Sequence, residues 1–357
     1  MDQGVIDAII ASVQAKQQTV VSEGAVPLFF GKGYTTFPLK KDNFVPFSVE
    51  KDSAKTAFVD GGNSELFASP DLSLQFVRVY GTIYRHNKRL QSLTQEYYVL
   101  VHTQQQGEDK GLHFVVDLFH QDGRVEKGRF SFNTEDKQFT EGNFRLKIGS
   151  VGNYVRDLLE LEHALLVAKE LDERDVLVRD GLLQCNYAFA WPYFQRLFDH
   201  VVEKKLYLVG FAKTTTLFAS NGISVAANLA KLQSENMKMW YYDNLVESNN
   251  PMHPAHVYFT KLHERSSYVF RVELYKNLAC TWCSLVKPLA LLAENSMDPV
   301  FLGYPYGLVE ADKLARVTNQ EKEYLKTIFA SKAGETWKAL LPSLNAVNAH
   351  GVLDKLG

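Results

Sequence analysis

Cysteine is scarce in this 357-residue chain: Cys185, Cys280 and Cys283 are the three present. An odd, sparse set builds no disulfide framework and predicts a reducing compartment. The pair in "CTWC" (280–283) has no second CxxC and no histidine partners, so it is read as buried thiols rather than as a zinc or redox site. Long apolar runs are missing as well. No stretch reaches the roughly 18 residues that a bilayer crossing takes, and "MDQGVIDAIIASVQAKQ" at the start is amphipathic without a signal peptide's basic beginning. The expectation is a cytoplasmic protein with no membrane partner. Charge of one sign is also lacking, since 39 Lys and Arg face 41 Asp and Glu for a net charge of −2. A global basic field is excluded, and any phosphate contact must use a local patch or a channel. No GxxxxGK[ST] phosphate loop, internal repeat or low-complexity segment is present.

What the chain does have is apolar material, 46% of residues, enough for a sizeable core. Val5, Ile6, Ile9, Ile10 and Val13 recur at helical spacing, and a loop containing Pro and Gly follows over 24–48, so residues 1–48 read as an N-terminal helix and extended arm. From 49 to 357 the pattern is one α/β domain. "TAFVDGG" begins a series of β-type segments that continues with "LSLQFVRVYGTIYR" (72–85), "EYYVLVHTQ" (96–104) and "LHFVVDLFHQ" (112–121), read as an antiparallel meander. A long helical pattern over 151–173 leads into the strand "VLV". Then come a helix at 191–204, the strand "LYLVGFAKT", a helix around 223–233, a hairpin around "HERSS", and a terminal helix carrying Leu308, Ala311, Leu314 and Ala315.

Acids sit at telling places in that order. Asp60 follows "AFV" and Asp180 follows "VLVR", each where a buried strand is expected to open into a glycine turn. Asp-Gly is a common turn pair, so capping and metal binding both remain open for either residue alone. Glu162 has Leu158, Leu159, Leu165 and Leu166 three and four residues away and falls on the apolar stripe, whereas Glu160 has Arg156, Asp157, His163 and Ala164 around it, a face that solvent could cover. A buried carboxylate needs a cation, a salt bridge or a proton. The partner is a divalent ion shared with Asp60 and Asp180, or a buried arginine such as Arg78 or Arg271. Clustered carboxylates with oxygen-only ligation suit Mg²⁺ or Mn²⁺ and the chemistry of phosphodiester cleavage. Lys213, in "GFAKTTT", reads either as a phosphate contact or as a solvated loop lysine.

The ordered acids resemble the ribonuclease H-like fold, a mixed sheet flanked by helices, and the details resemble the NurA family of DNA-end-processing nucleases. The resemblance covers about residues 50–325, on "FVDGG", the helix with Glu162, "VRDGLL", "VGFAKTT", "YVFRVEL" and "GYPYGLVEADKLARV". It implies Asp60, Glu162 and Asp180 as metal-binding acids, with Tyr304 and Asp312 completing the site. Asp312 stands where many NurA proteins carry a histidine, and Glu310 is its rival. The family further implies a Mn²⁺- or Mg²⁺-dependent deoxyribonuclease for double-strand break repair, with single-strand endonuclease and end-resecting exonuclease activity. It would work as a ring-shaped homodimer with a HerA-type hexameric ATPase. Lys213, Arg78, Arg85, Lys88 and Arg89 are the candidates to line such a channel for DNA. The competing expectations are a non-catalytic DNA-binding or translocase-stimulating module of the same fold, and an actin-like ATPase. The second of these requires a duplicated domain.

Overall fold

The β-branched and aromatic residues of 72–85 form a strand, Leu72–Arg85, that is buried almost continuously rather than at alternate positions. That pattern marks a strand covered on both faces. A computed structural model describes residues 3–18, 22–49, 52–107, 111–234, 236–276, 284–338, 342 and 344. "CTWC" lies outside them. The chain divides into two compact units, one of residues 1–56, 174–186 and 205–306, the other of 57–173, 187–204 and 307–357.

In the first unit the strand order is Phe44–Pro46, Trp240–Tyr242, Ala255–Lys261, Phe270–Tyr275, Tyr207–Ala212, Val176–Asp180. The last two run parallel, in register from Val176 opposite Tyr207 to Asp180 opposite Phe211, and the remaining pairs are antiparallel. The hairpin expected around "HERSS" is the pairing of Ala255–Lys261 with Phe270–Tyr275. Residues 24–48, expected as a loop of the extended arm, carry two short strands that join this unit. Tyr34–Thr36 pairs with Val246–Ser248, Phe44–Pro46 pairs with Trp240–Tyr242, and Leu39 and Phe44 join Trp240, Tyr242 and Phe259 in one core cluster. Full burial of each such side chain contributes about 1.5–3 kcal/mol, which is why the segment packs rather than extends. The helix Gln3–Gln18 keeps Val5, Ile9, Ile10 and Val13 exposed.

The second unit orders its strands as they occur in the chain, Thr56–Ala68, Leu72–Arg85, Lys88–Gln106, Gly111–His120 and Val125–Asn133, the meander that the sequence suggests, with longer strands. The helix Val151–Lys169 buries Val155, Leu158, Leu159 and Leu161, and Trp191–Glu203 starts with Pro192 in its first turn. The terminal helical pattern divides in two. Tyr306–Ala315 ends before Thr318, whose hydroxyl caps a second helix, Asn319–Ala333, by accepting from the Glu321 N–H at 3.2 Å. An antiparallel meander and a sheet with a parallel pair are not copies of one motif, so the described residues do not show the duplication required of an actin-like ATPase.

One buried polar residue gives the fold a pH dependence. His163 is fully buried, with Nε2 donating to the Leu93 carbonyl at 3.2 Å and Nδ1 lying 3.1 Å from the Gln95 side-chain amide. Burial, partly countered by the Leu93 hydrogen bond, pulls its pKa from 6.5 to about 4. The unfolded chain therefore takes up the proton first as pH falls, and stability that is complete above pH 6.5 is lost on the way down to about 4. The loss from this group is on the order of 3 kcal/mol. Urea unfolding of wild type and His163→Gln at pH 7, 5 and 4 checks this: the variant is expected to show the flatter pH dependence, and equal slopes would refute it.

Candidate active site

Asp60 does not end a strand. It is the fifth residue of the thirteen-residue strand Thr56–Ala68, which continues through Gly61 and Gly62, and neither glycine has a positive φ. The expected turn is therefore replaced by close packing. A Cβ on Gly61 would lie 3.1 Å from Glu160 Oε2 and 3.3 Å from Arg156 Cγ, both on the helix Val151–Lys169, and a Cβ on Gly62 would collide with the carbonyl of Ala315 at the end of Tyr306–Ala315. The glycines let two helices reach the strand on either side of a carboxylate that is only 5% exposed. Asp60 Oδ1 accepts the Gly61 N–H at 2.7 Å.

Glu162 and Glu160 exchange the places expected for them. Glu162 is off the buried stripe, with a quarter of its side chain exposed, and Arg129 and Arg196 neutralise it at 2.6 and 3.3 Å. Neither Arg78 nor Arg271 does so. Glu160, expected to face solvent, is 2% exposed and lies beside Gly61. Arg156, one turn earlier, donates to the Gly61 carbonyl at 3.0 Å and to Asp157 at 2.6 Å. Burial works against its charge, but the carboxylates of Glu160, Asp157 and Asp60 hold its pKa above the ordinary value. The charged residues around Glu160 suggested an exposed face, but Arg156 meets the strand backbone at Gly61 and His163 meets Leu93 of Lys88–Gln106. The consecutive glycines in "VDGG" were the available signal.

In the first unit Asp180 is the last residue of Val176–Asp180, and Gly181 follows with φ +102, so here the expected glycine turn exists. Lys213, just past the parallel neighbour Tyr207–Ala212, pairs with Asp180 at 2.6 Å. Tyr304 is buried among aromatic rings, Phe211, Phe270 and Phe301, with centroids 4.9–5.4 Å away.

Other candidates are bound up differently from expectation. Asp312, on Tyr306–Ala315, is partly exposed rather than inward-facing and pairs at 2.5 Å with the exposed Arg316. Its rival Glu310 accepts from the hydroxyls of Tyr80 and Tyr84 at 2.7 and 2.5 Å and from Arg89 at 3.1 Å, ligands enough to keep its pKa low despite burial. Glu310 thus fastens its helix to the neighbouring hairpin. Arg78, expected to contact DNA, bridges Glu96 at 2.5 Å and Glu321, with most of its side chain buried. A guanidinium shared by two carboxylates has little positive charge left to offer a phosphate.

Among the described residues, no group of three or more His, Cys, Asp or Glu side chains is arranged to hold a metal ion. Within the second unit Asp60, on the strand, and Glu160, on the helix beside Gly61, are each a buried carboxylate, an oxygen donor whose chemistry fits a hard divalent cation. Among the described residues no helix is long and apolar enough to cross a membrane.

The family model of the NurA domain matches residues 54–317. The chain belongs to the NurA family. No curated protein sequence matches it. Among solved structures, it is similar to the NurA nuclease from Sulfolobus solfataricus, at 12% identity and a TM-score of 0.56, over 94% of this chain and 98% of that one. A weaker likeness is to the catalytic domain of human endonuclease V, at 11% identity and a TM-score of 0.37, covering 81% of this chain and 93% of that one. The ribonuclease H-like α/β fold expected from the sequence is thus the fold of a NurA protein. The NurA match takes in Asp60, Glu160, Asp180, Lys213, Tyr304 and Asp312, and it leaves the helix Gln3–Gln18 outside.

Proposed function

We propose that this chain, a nuclease by family, hydrolyses DNA phosphodiester bonds with Mn²⁺ or Mg²⁺, cutting single strands and resecting duplex ends. We further propose that it does so as a homodimer in the cytoplasm, in double-strand break repair with a HerA-type hexameric ATPase. The observation that carries the reading is a carboxylate, Asp60, buried mid-strand inside the NurA match, with Glu160 brought beside the same strand. Two acids kept out of water cost several kcal/mol each unless they do something with their charge.

Asp60 and Glu160 would hold the ion in the second unit, Glu160 taking the role that the resemblance implied for Glu162. Asp180 and Asp312 are proposed as further ligands from the resemblance alone. When bound, such ions activate water and stabilise the leaving oxygen of a phosphodiester. The chain's own part is to position and to balance charge. Arg156 ties the Gly61 carbonyl to the helix and sets a permanent positive charge beside the acids. Lys213, held by Asp180 at a strand end, would meet a phosphate oxygen. Tyr304 is proposed to support the site through its packing.

Labelled single-stranded and duplex-end DNA, incubated with Mn²⁺, Mg²⁺ or a chelator, tests the reading. Cleavage is expected with either metal and is expected to stop with chelator. Cleavage that persists in chelator would overturn the metal requirement, and none under any condition would favour a non-catalytic DNA-binding module.

A further inference from the structure

A cavity of about 360 Å³ opens in the first unit beyond the ends of its two parallel strands. The segment after Val176–Asp180 lines it with Leu182 and Gln184, and the segment after Tyr207–Ala212 lines it with Thr214, Thr215 and Thr216. In α/β sheets the space outside the carboxyl ends of parallel strands is where ligands bind, and the volume is within the range of small-ligand pockets.

Arg271 gives this cavity its chemistry. It lines the wall while being only 6% exposed, and its Nε has no hydrogen-bond acceptor among the described residues. A buried donor without an acceptor calls for an explanation. The guanidinium is held from behind: Nη2 donates to Glu273 Oε1 at 2.5 Å, and Cζ lies 5.3 Å from the centre of the Phe29 ring. Glu273 is fully buried and does not line the cavity. Its Oε2 accepts the Leu183 N–H at 2.7 Å and lies 3.1 Å from His253 Nε2, so the network also fixes the segment that carries Leu182 and Gln184. Burial would raise the carboxyl's pKa, but Arg271, His253 and the Leu183 N–H outweigh it and hold it low. At the rim Phe30 is 92% exposed. A fixed guanidinium, threonine hydroxyls and an exposed aromatic face together match a phosphate joined to a flat ring.

We propose that this cavity binds one nucleotide unit of a DNA strand, its phosphate on Arg271, Thr214 and Thr216 and its base stacked on Phe30. The choice of DNA rests on the nuclease reading. The nucleotide chemistry rests on the cavity itself.

Titration calorimetry in EDTA, so that cleavage plays no part, tests this with deoxyadenosine monophosphate, a short oligothymidylate and inorganic phosphate. Wild type is expected to bind both nucleotide probes saturably. Phe30→Ala, at an exposed position, is expected to weaken both by about tenfold, the size of one base–aromatic stack, and to leave phosphate binding unchanged. Thr214→Val with Thr216→Val should weaken all three. Arg271→Lys, checked for folding by circular dichroism, should do the same while keeping the charge. No saturable nucleotide binding by wild type overturns the proposal. So does nucleotide binding that Phe30→Ala leaves intact, which would reduce the cavity to an anion site. If cleavage fails with every metal but the binding pattern holds, the nuclease reading falls and the nucleotide site stands. Cleavage with unaltered binding in the cavity variants gives the reverse.

Discussion

Asp60→Asn and Glu160→Gln are each expected to reduce DNA cleavage at least about a hundredfold, while Glu162→Gln stays within about threefold of wild type. Removing a carboxylate that holds a catalytic ion forfeits stabilisation of charge developing in the transition state, where single groups are worth roughly 10²–10³ in rate. Asn at 60 preserves the shape and keeps an acceptor for the Gly61 N–H, so the fold should survive. Gln at 160 preserves the length of a side chain that packs against Gly61. Glu162, by contrast, sits between two partly exposed arginines. Such pairs contribute about 0–1 kcal/mol, and their loss does not reach the strand. Circular dichroism and urea midpoints separate unfolding from lost chemistry. If Glu162→Gln kills cleavage and Glu160→Gln does not, the assignment implied by the resemblance is right and the one drawn from burial is wrong.

That pair shows what the sequence could reveal and what it could not. Periodicity placed a helix over 151–173, four residues longer than Val151–Lys169, and the order of acids along the chain, because both are local properties. It failed to say which face of the helix is buried, because that depends on what lies opposite. Leucines three and four residues from Glu162 made its face look like core, yet arginines distant in sequence, Arg129 and Arg196, reach it. Around Glu160 stand Arg156, partly buried, and His163, fully buried, polar residues that strand carbonyls at Gly61 and Leu93 accept from. The same blindness led Arg78 to be read as a channel residue, although Glu96 and Glu321 are waiting for it. The place of Asp180 was legible, since a strand end followed by a left-handed glycine is written in three adjacent residues, whereas its pairing with Lys213 was not. The cavity around Arg271 was not, because its walls come from segments near 30, 184, 215 and 271.

Gly62→Ala and Gly307→Ala are expected to lower stability by about 3 kcal/mol or more, the upper part of the range for overpacking. A methyl at 62 meets the carbonyl of Ala315, and backbone at the end of a helix cannot swing aside as a side chain can. A methyl at 307 enters the ring of Phe58, which is itself fully buried. The stripe Gly307, Ala311, Ala315 is small because the helix Tyr306–Ala315 lies directly on the Thr56–Ala68 strand. Gly61→Ala is expected to behave differently. Its methyl would fall 3.1 Å from the Glu160 carboxylate and 3.3 Å from the Arg156 stem, side chains that can shift by a few tenths of an ångström. The cost to folding should stay near 1 kcal/mol, but cleavage should fall well beyond what that loss explains, because the displaced groups are the ones proposed to act. Urea midpoints and cleavage rates measured on all three variants decide it. A Gly62→Ala protein within 1 kcal/mol of wild type would refute the packing argument. A Gly61→Ala enzyme of full activity would remove Glu160 and Arg156 from the site.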